Sequence, residues 1–203
     1  MTWRVPFAAD IRTVKQLGLY GGTFDPVHNG HLILAREALE QLGLEQILFL
    51  PAALSPHKLA DKPTPGALRA EMLRVAIEHE RSFALDECEL QRPAPSFTVD
   101  TVCDMQQRNP EARLFYLVGS DNLDRLHTWR RFEDLCRLVT FVVLDRGNAG
   151  GDHADYTLIR RQIDVSATDI RNRVVTGRSI RYLVPPAVEE LINRHQLYRE
   201  PLR

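Results

Sequence analysis

Residues 20–31 place glycine, threonine and histidine close together, at the point where an apolar run gives way to a helical pattern. They read Tyr-Gly-Gly-Thr-Phe-Asp-Pro-Val-His-Asn-Gly-His. The apolar run ends at the two glycines, and His28 and His31 open an amphipathic segment over residues 32–42. This order predicts a strand, a glycine turn and the first turn of a helix, with both histidines at the helix entrance.

Such an arrangement suits the binding of phosphate groups. A helix N-terminus has free backbone N–H groups and a partial positive charge, and both attract anions. Glycine lets the backbone approach a ligand closely. The spacing of three residues between His28 and His31 places both imidazoles on one helix face. The segment therefore predicts a site for a polyphosphate whose negative charge grows during a reaction.

Other interpretations of this segment are open at this point. A glycine turn before a helix is often only a turn, and two histidines three residues apart often lie on a solvated helix face. The familiar zinc-binding helix has histidines four residues apart with a glutamate between them, whereas Asn29 and Gly30 intervene here. The sequence contains neither a G-x-G-x-x-G dinucleotide motif nor a G-x-x-x-x-G-K-[ST] phosphate-binding loop.

Apolar strands alternate with helical segments along the chain. The predicted strands are Gln16–Tyr20, Gln46–Leu50, Phe83–Asp86, Arg113–Val118, Val139–Leu144 and Leu158–Val165. The predicted helices are His31–Leu42, a segment capped by Thr64-Pro65 and ending near Glu80, Ser96–Asn109, pieces within Leu123–Leu138, Thr168–Thr176 and Pro186–His195. The alternation predicts an α/β fold with a Rossmann-like, doubly wound and mostly parallel sheet, helices on both faces and a small C-terminal helical part. Such sheets bind ligands beyond the carboxyl ends of their strands.

Length and composition limit the class of protein. The 203 residues are 44% hydrophobic and carry a net charge of −1, which predicts one domain (1–203) with a short N-terminal extension (1–13). The three cysteines form no C-x-x-C pair, which favours reduced thiols in a cytoplasmic protein. No stretch has the length of a membrane helix, and residues 1–13 lack the apolar region of a signal peptide. We therefore expect no nucleic-acid or membrane partner, and a homo-oligomer stays open.

A second helix entrance lies near the C-terminus. Residues 166–171 read Ser-Ala-Thr-Asp-Ile-Arg, in which Ser166 and Asp169 form a capping-box pattern. A cap needs no further function. Arg171, however, adds a planar cation that can contact phosphate through two parallel hydrogen bonds. Two phosphate-type helix entrances in one chain are more specific together than either is alone.

The motif G-G-T-F-D-P-V-H-x-G-H resembles the signature of the HxGH nucleotidyltransferase superfamily. Its long form most resembles that of bacterial nicotinate-nucleotide adenylyltransferases. Further segments resemble that family in order and spacing, from about Leu17 to Tyr198, with Ser55, Phe97 and Ala167 as departures from its usual residues. These segments are 55–58 (Ser-Pro-His-Lys), 95–101 (Pro-Ser-Phe-Thr-Val-Asp-Thr), 117–121 (Leu-Val-Gly-Ser-Asp), 127–130 (His-Thr-Trp-Arg), 166–171 and the closing segment 183–188 with 197–198.

The resemblance implies transfer of AMP from ATP to nicotinate mononucleotide, which yields nicotinate adenine dinucleotide and pyrophosphate in NAD biosynthesis. The acceptor phosphate is already anionic, so direct in-line displacement needs no general base. Mg²⁺ is expected to act with ATP, held mostly by the phosphates and water, with no metal-binding set of protein side chains. The substrates ATP and nicotinate mononucleotide are thus the expected small-molecule partners.

The same resemblance implies roles for individual residues. The expected catalytic residues, which contact the reacting phosphates or the leaving pyrophosphate, are His28, His31, Lys58 and Arg171. The expected ATP- and phosphate-binding residues are Gly21, Gly22, Thr23, Phe24, Gly119, Asp121, Ser166 and Thr168. The expected nicotinate-nucleotide-binding residues are Thr98, Trp129 and Arg130.

Two alternatives to this function remain. The acceptor could be nicotinamide mononucleotide, phosphopantetheine or another phosphate, since the acceptor segments favour the nicotinate nucleotide by resemblance only. Alternatively, the chain could be a non-catalytic nucleotide-binding regulator with the same fold. Intact His28, His31 and Arg171 favour the enzyme, because a sensor has no need of groups that stabilise a transition state.

Overall fold

The computed structural model describes residues 15–53, 63–93, 95–147 and 156–199. Its strands are β1 (Gln16–Gly22), β2 (Gln46–Pro51), β3 (Phe83–Leu85), β4 (Arg113–Gly119), β5 (Thr140–Asp145) and β6 (Thr157–Arg160). Its helices are α1 (Asn29–Leu42), α2 (Gly66–Ile77), α3 (Thr98–Arg108), α4 (Leu123–Leu126), α5 (Phe132–Leu138), α6 (Ala167–Val175) and α7 (Pro186–Arg194), with a 3₁₀ turn at Ser120–Asn122. The predicted segments 1–13 and 55–58 lie outside the described residues.

The strands form one six-stranded sheet in the order β3-β2-β1-β4-β5-β6, and every described pairing between them is parallel. Leu19 of β1 lies opposite Leu48 of β2 on one side and Tyr116 of β4 on the other. Strand order therefore reverses between β1 and β4, and crevices for ligands open at such switch points. The predicted Rossmann-like α/β fold is confirmed.

Two apolar clusters cover the two faces of the sheet. Side chains alternate along β4, so Leu117 joins one cluster while Tyr116 and Val118 join the other. Helices α1, α2, α6 and α7 contribute buried residues to the first cluster, and α3, α4 and α5 contribute to the second. The predicted placement of helices on both faces follows from this division.

Helix α1 begins at the predicted glycine turn and carries the histidines at its entrance. Its buried residues Leu34, Ala35, Ala38 and Leu39 recur at helical spacing and fix it against the sheet. Gly43 ends the helix, as predicted. Its φ of 61° is the left-handed conformation that glycine adopts readily at a helix C-terminus.

Several predicted boundaries were wrong by a few residues. The last strand ends at Arg160 rather than Val165, because Ile163 N–H already bonds to the Arg146 carbonyl, in the loop beyond the end of β5. Helix α2 ends at Ile77, and Thr64 does not cap it. The backbone N–H of Thr64 instead donates to Asp25 Oδ2 at 3.0 Å. Within the described residues, no helix has both the length and the apolar character needed to cross a membrane.

Candidate active site

A cleft of about 740 Å³ opens at the carboxyl ends of the strands around the β1–β4 switch point. Its volume lies in the range of sites that hold small molecules and cofactors. Every described candidate from the sequence lines this cleft: Gly21, Gly22, Thr23, Phe24, His28, His31, Thr98, Gly119, Asp121, Trp129, Arg130, Ser166, Thr168 and Arg171. Lys58 lies outside the described residues. The structure thus brings these residues together, and their roles stay predictions.

His28 and His31 form a stacked pair at the start of α1. Their ring centroids are 3.7 Å apart, with the planes inclined by 26°. His28 is the N-cap residue, and its backbone N–H donates to His31 Nδ1 at 3.2 Å. Because Nδ1 accepts this bond, the proton of a neutral His31 lies on Nε2, which leaves that nitrogen as a donor.

Both imidazoles are neutral near pH 7. Burial, together with the nearby Arg146 guanidinium, lowers the pKa of His28 to about 3. Burial, His28 and Arg146 together hold the pKa of His31 well below its usual range. Within the described residues, His28 Nδ1 is buried without a hydrogen-bond partner. A bound anion would supply negative charge and a hydrogen-bond acceptor beside these buried imidazoles and Arg146.

Close packing around the histidines restricts the neighbouring residues. A Cβ atom added at Gly30 would lie 3.0 Å from His28 Nδ1, so a larger residue there would displace the imidazole. Phe24 has a φ of 50°, a strained conformation for an aromatic residue. Its ring lies edge-on to His31, with centroids 5.0 Å apart. The strained turn therefore places a buried ring against the catalytic candidate.

The start of α6 faces the same cleft. Ser166 Oγ accepts a hydrogen bond from Asp169 N–H at 3.1 Å, which is one half of the predicted capping box. Arg171 Nη1 donates to the backbone carbonyl of Asp25 at 2.7 Å, and its Nη2 donates to Thr168 Oγ1 at 3.2 Å. Arg171 thus joins the entrance of α6 to the turn before α1, so that two helix N-termini meet at one site.

The start of α3 lines another part of the cleft. Phe97 is its N-cap and makes no side-chain capping bond, so the N–H groups of Thr98 and Val99 at the start of this helix are available to a ligand. The indole of Trp129 lies edge-on to Tyr116, with centroids 5.8 Å apart. The guanidinium carbon of Arg130 lies 4.7 Å from the Phe97 ring centroid. Aromatic faces, a cation and free N–H groups therefore occur together here.

Asp121 follows β4 in the 3₁₀ turn Ser120–Asn122 and lines the cleft. Its Oδ1 accepts a hydrogen bond from Asn122 Nδ2 at 3.2 Å. The carboxylate retains further lone pairs that can accept from ribose hydroxyls.

Arg146, Tyr116 and Glu89 are among the cleft residues that the sequence analysis did not single out. Arg146 could have been found, because it lies two residues beyond the predicted strand Val139–Leu144, at the edge of the sheet where other site residues lie. Tyr116 and Glu89 gave no such signal, since one lies within a strand and the other in a loop. Glu89 is buried, accepts a hydrogen bond from Thr101 Oγ1 at 2.9 Å, and has a pKa raised by that burial.

A parallel sheet with phosphate-type helix entrances at its switch point is typical of nucleotide-binding proteins. The sequence profile of the cytidylyltransferase-like family matches residues 19–173. The chain therefore belongs to this family. A nicotinic acid mononucleotide adenylyltransferase of Plasmodium falciparum, solved in complex with NaAD, has the same fold. Its TM-score is 0.77 at 19% identity, covering 91% of this chain and 97% of that one.

Curated relatives show to which group within this family the chain belongs. A probable nicotinate-nucleotide adenylyltransferase of Bacillus pumilus is 40% identical, covering 91% of this chain and 99% of its own length. The nicotinate-nucleotide adenylyltransferase of Bacillus subtilis is 38% identical with the same coverage of both chains. Within the cytidylyltransferase-like family, the chain belongs with the nicotinate-nucleotide adenylyltransferases, and the resemblance recognised in its motifs is confirmed.

The lowered histidine pKa values make stability depend on pH. An unfolded histidine takes up a proton below about pH 6.5, whereas folded His28 does so only near pH 3. Between these values, falling pH favours the unfolded chain. His28→Gln should remove its share of this effect, about 2 kcal/mol at pH 5.

Urea unfolding at pH 7.5 and pH 5.0 measures this effect. The stability lost between the two conditions should be smaller in His28→Gln than in the wild type. His195→Gln, at an exposed position, is the matched control. Equal losses in wild type and His28→Gln would contradict the interpretation.

Proposed function

We propose that this chain transfers AMP from ATP to nicotinate mononucleotide, forming nicotinate adenine dinucleotide and pyrophosphate, a step of NAD biosynthesis. One observation supports this function above the others. The stacked His28 and His31 share a cleft with Arg171, while Trp129 and the α3 entrance line another part of it. The cleft therefore offers groups for a polyphosphate and groups for an aromatic acid.

The reaction breaks the bond between the α-phosphorus of ATP and the bridging oxygen of the leaving pyrophosphate. A phosphate oxygen of the acceptor forms the new bond from the opposite side. Because that oxygen is already anionic, no side chain has to remove a proton. Catalysis then consists of alignment and of donors placed where negative charge develops.

The residues of the cleft can supply these donors. Neutral His31 presents Nε2–H, and its ring is fixed because Nδ1 accepts from the His28 backbone. His28 stacks on it and restricts its rotation. Arg171 and Arg146 are cations that can neutralise the leaving pyrophosphate. Thr23, Gly22 and the N–H groups of Gly30, Ala167 and Thr168 at the starts of α1 and α6 provide neutral donors for the remaining phosphate oxygens.

The donor substrate is ATP as its Mg²⁺ complex. Among the described residues, no cluster of three or more His, Cys, Asp or Glu side chains is placed to hold a metal ion. Mg²⁺ would enter with the triphosphate and would withdraw negative charge from the phosphate oxygens.

The acceptor would lie near the start of α3. The N–H groups of Thr98 and its neighbours suit the nicotinate carboxylate, which carries the charge that distinguishes the acid from the amide. Trp129 provides an aromatic surface against which a pyridine ring can pack. Arg130 supplies a cation nearby, and Asp121 suits the hydroxyls of a ribose.

Pyrophosphate release with ATP and Mg²⁺ tests the reaction. Nicotinate mononucleotide and nicotinamide mononucleotide should be compared in parallel, and the acid should be strongly preferred. Equal use of both would retain adenylyl transfer but remove the carboxylate pocket. Absence of release with either would direct the search to phosphopantetheine, and then to a regulator.

His31→Ala should lower kcat by roughly 10²–10³, the scale of one donor lost from a transition state. The KM values should change much less, because the Nε2–H bond strengthens as charge develops. Steady-state kinetics with both substrates measure the effect on kcat and the effect on KM separately. A rise in KM at unchanged kcat would mean that His31 only binds substrate.

Trp129→Ala should raise the KM for nicotinate mononucleotide about fivefold, which corresponds to a ring contact of about 1 kcal/mol. The affinity for ATP should be unchanged. Trp129→Phe keeps an aromatic surface, so its KM for nicotinate mononucleotide should lie between those of the wild type and Trp129→Ala. Because Trp129 also packs against Tyr116 and Phe141, an equal loss for both substrates would assign it to the core.

A further inference from the structure

Arg69 of α2 is a charged side chain buried within the protein. Only 1% of its surface is exposed, and among the described residues it is the largest of the fully buried side chains. Removing a charge from water is costly unless the surrounding groups replace the lost solvation. A buried guanidinium therefore identifies a place where the fold has assembled several hydrogen-bond acceptors around one cation.

The acceptors are backbone carbonyls from three separate segments. Arg69 Nη1 donates to the Thr23 carbonyl at 2.7 Å, and Nε donates to the Thr64 carbonyl at 2.8 Å. Nη2 donates to the Ala52 carbonyl at 2.7 Å and lies 3.4 Å from that of Ala53. One rigid side chain thus connects the glycine turn after β1, the segment after β2 and the segment before α2.

Both parts of the cleft meet at these segments. Thr23 belongs to the turn that leads to the histidine pair. Ala53 N–H donates to Ser96 Oγ at 3.1 Å, and Ser96 lies just before the α3 entrance where the acceptor is placed. Arg69 therefore lies between the backbone that would hold the ATP phosphates and the backbone that supports the acceptor pocket.

The charge of Arg69 is stabilised mainly by these carbonyl dipoles. Within the described ranges, it forms no salt bridge within 4.0 Å. The charge of Asp25 favours the guanidinium from a greater distance. The two carboxylate oxygens of Asp25 already accept from Thr64 N–H and from the Tyr198 hydroxyl. The contacts of Arg69 are thus directed at the backbone rather than at a partner acid.

We propose that Arg69 is a positioning residue for adenylyl transfer. This inference rests on the function proposed above. By bonding to the carbonyls of Thr23, Ala52 and Thr64 at once, its guanidinium fixes the spacing between two segments. One is the glycine turn after β1, called here the phosphate turn, and the other is the segment after β2 that supports the acceptor pocket. Lysine keeps the charge but gathers its donors on one nitrogen, so it cannot bond to all three carbonyls in this geometry. The alignment of the reacting atoms depends on a planar cation with several N–H donors, and the charge alone is not sufficient.

Arg69→Lys tests whether the planar set of guanidinium donors is needed. Arg74→Lys is the matched control on the same helix. Arg74 is more than half exposed and bonds to Glu87 at its surface. Per folded molecule, kcat of Arg69→Lys should fall roughly 10–100-fold, because misalignment by about 1 Å has an effect of this size. Both KM values should stay within about threefold of the wild type. Arg74→Lys should retain wild-type kinetics.

Chemical rescue separates positioning from a merely structural role. In Arg69→Ala, millimolar guanidinium ion should restore kcat by at least about fivefold, since the free ion can occupy the space of the missing Arg69 guanidinium group. Urea at the same concentration should not. Wild-type kcat per folded molecule in Arg69→Lys, or equal responses to guanidinium and urea, would overturn the proposal.

The wild-type protein distinguishes failure of this inference from failure of the proposed function. If the wild type releases no pyrophosphate with any acceptor, the proposed function is wrong, and Arg69 is assessed by ATP binding alone. Calorimetry should then show ATP affinity about two- to threefold weaker in Arg69→Lys than in Arg74→Lys, because the hydrogen bond from the guanidinium to the Thr23 carbonyl in the phosphate turn is lost. Equal affinities would overturn the role of Arg69.

Discussion

The site depends on the hydrogen bonds that hold the turn around Asp25. Its carboxylate accepts from Thr64 N–H at 3.0 Å and from the Tyr198 hydroxyl at 2.5 Å, and its backbone carbonyl accepts from Arg171 at 2.7 Å. These partners come from before α2, after α7 and within α6. The turn that orients the histidines is short, but the hydrogen bonds that fix its conformation come from distant parts of the chain.

Electrostatics and packing act together at this turn. The cleft gathers cations and neutral donors, while burial keeps His28 and His31 uncharged. A neutral imidazole can donate to phosphate without adding a buried charge that would have to be compensated in the empty protein. Phosphate entering the cleft would therefore meet preformed donors, which is the condition under which electrostatic stabilisation of a transition state is most effective.

The sequence predicted the sheet, the order of its elements and the location of the described candidate residues, because all three depend on local pattern. Apolar runs mark strands, and in a parallel sheet the residues after each strand meet at one edge. The role of Arg69 could not be predicted, since its acceptor in the glycine turn lies 46 residues away in sequence. Glu89 could not be predicted as a cleft residue either, because it lies in a loop that does not follow a strand of the site. The end of β6 was predicted wrongly because apolar residues, Ile163 and Val165, continue past Arg160, whereas Ile163 N–H already bonds to the Arg146 carbonyl.

Contacts of the C-terminal part with the turn have a consequence for synthesis. Besides the Tyr198 bond to Asp25, Asn29 N–H donates to the Leu183 carbonyl at 2.9 Å, and its side chain donates to that of Tyr182 at 2.7 Å. A ribosome delivers the histidine segment long before these residues emerge. A nascent chain can thus form the early strands before these contacts exist, so the turn acquires its full set of hydrogen bonds only after residues 182–198 have emerged.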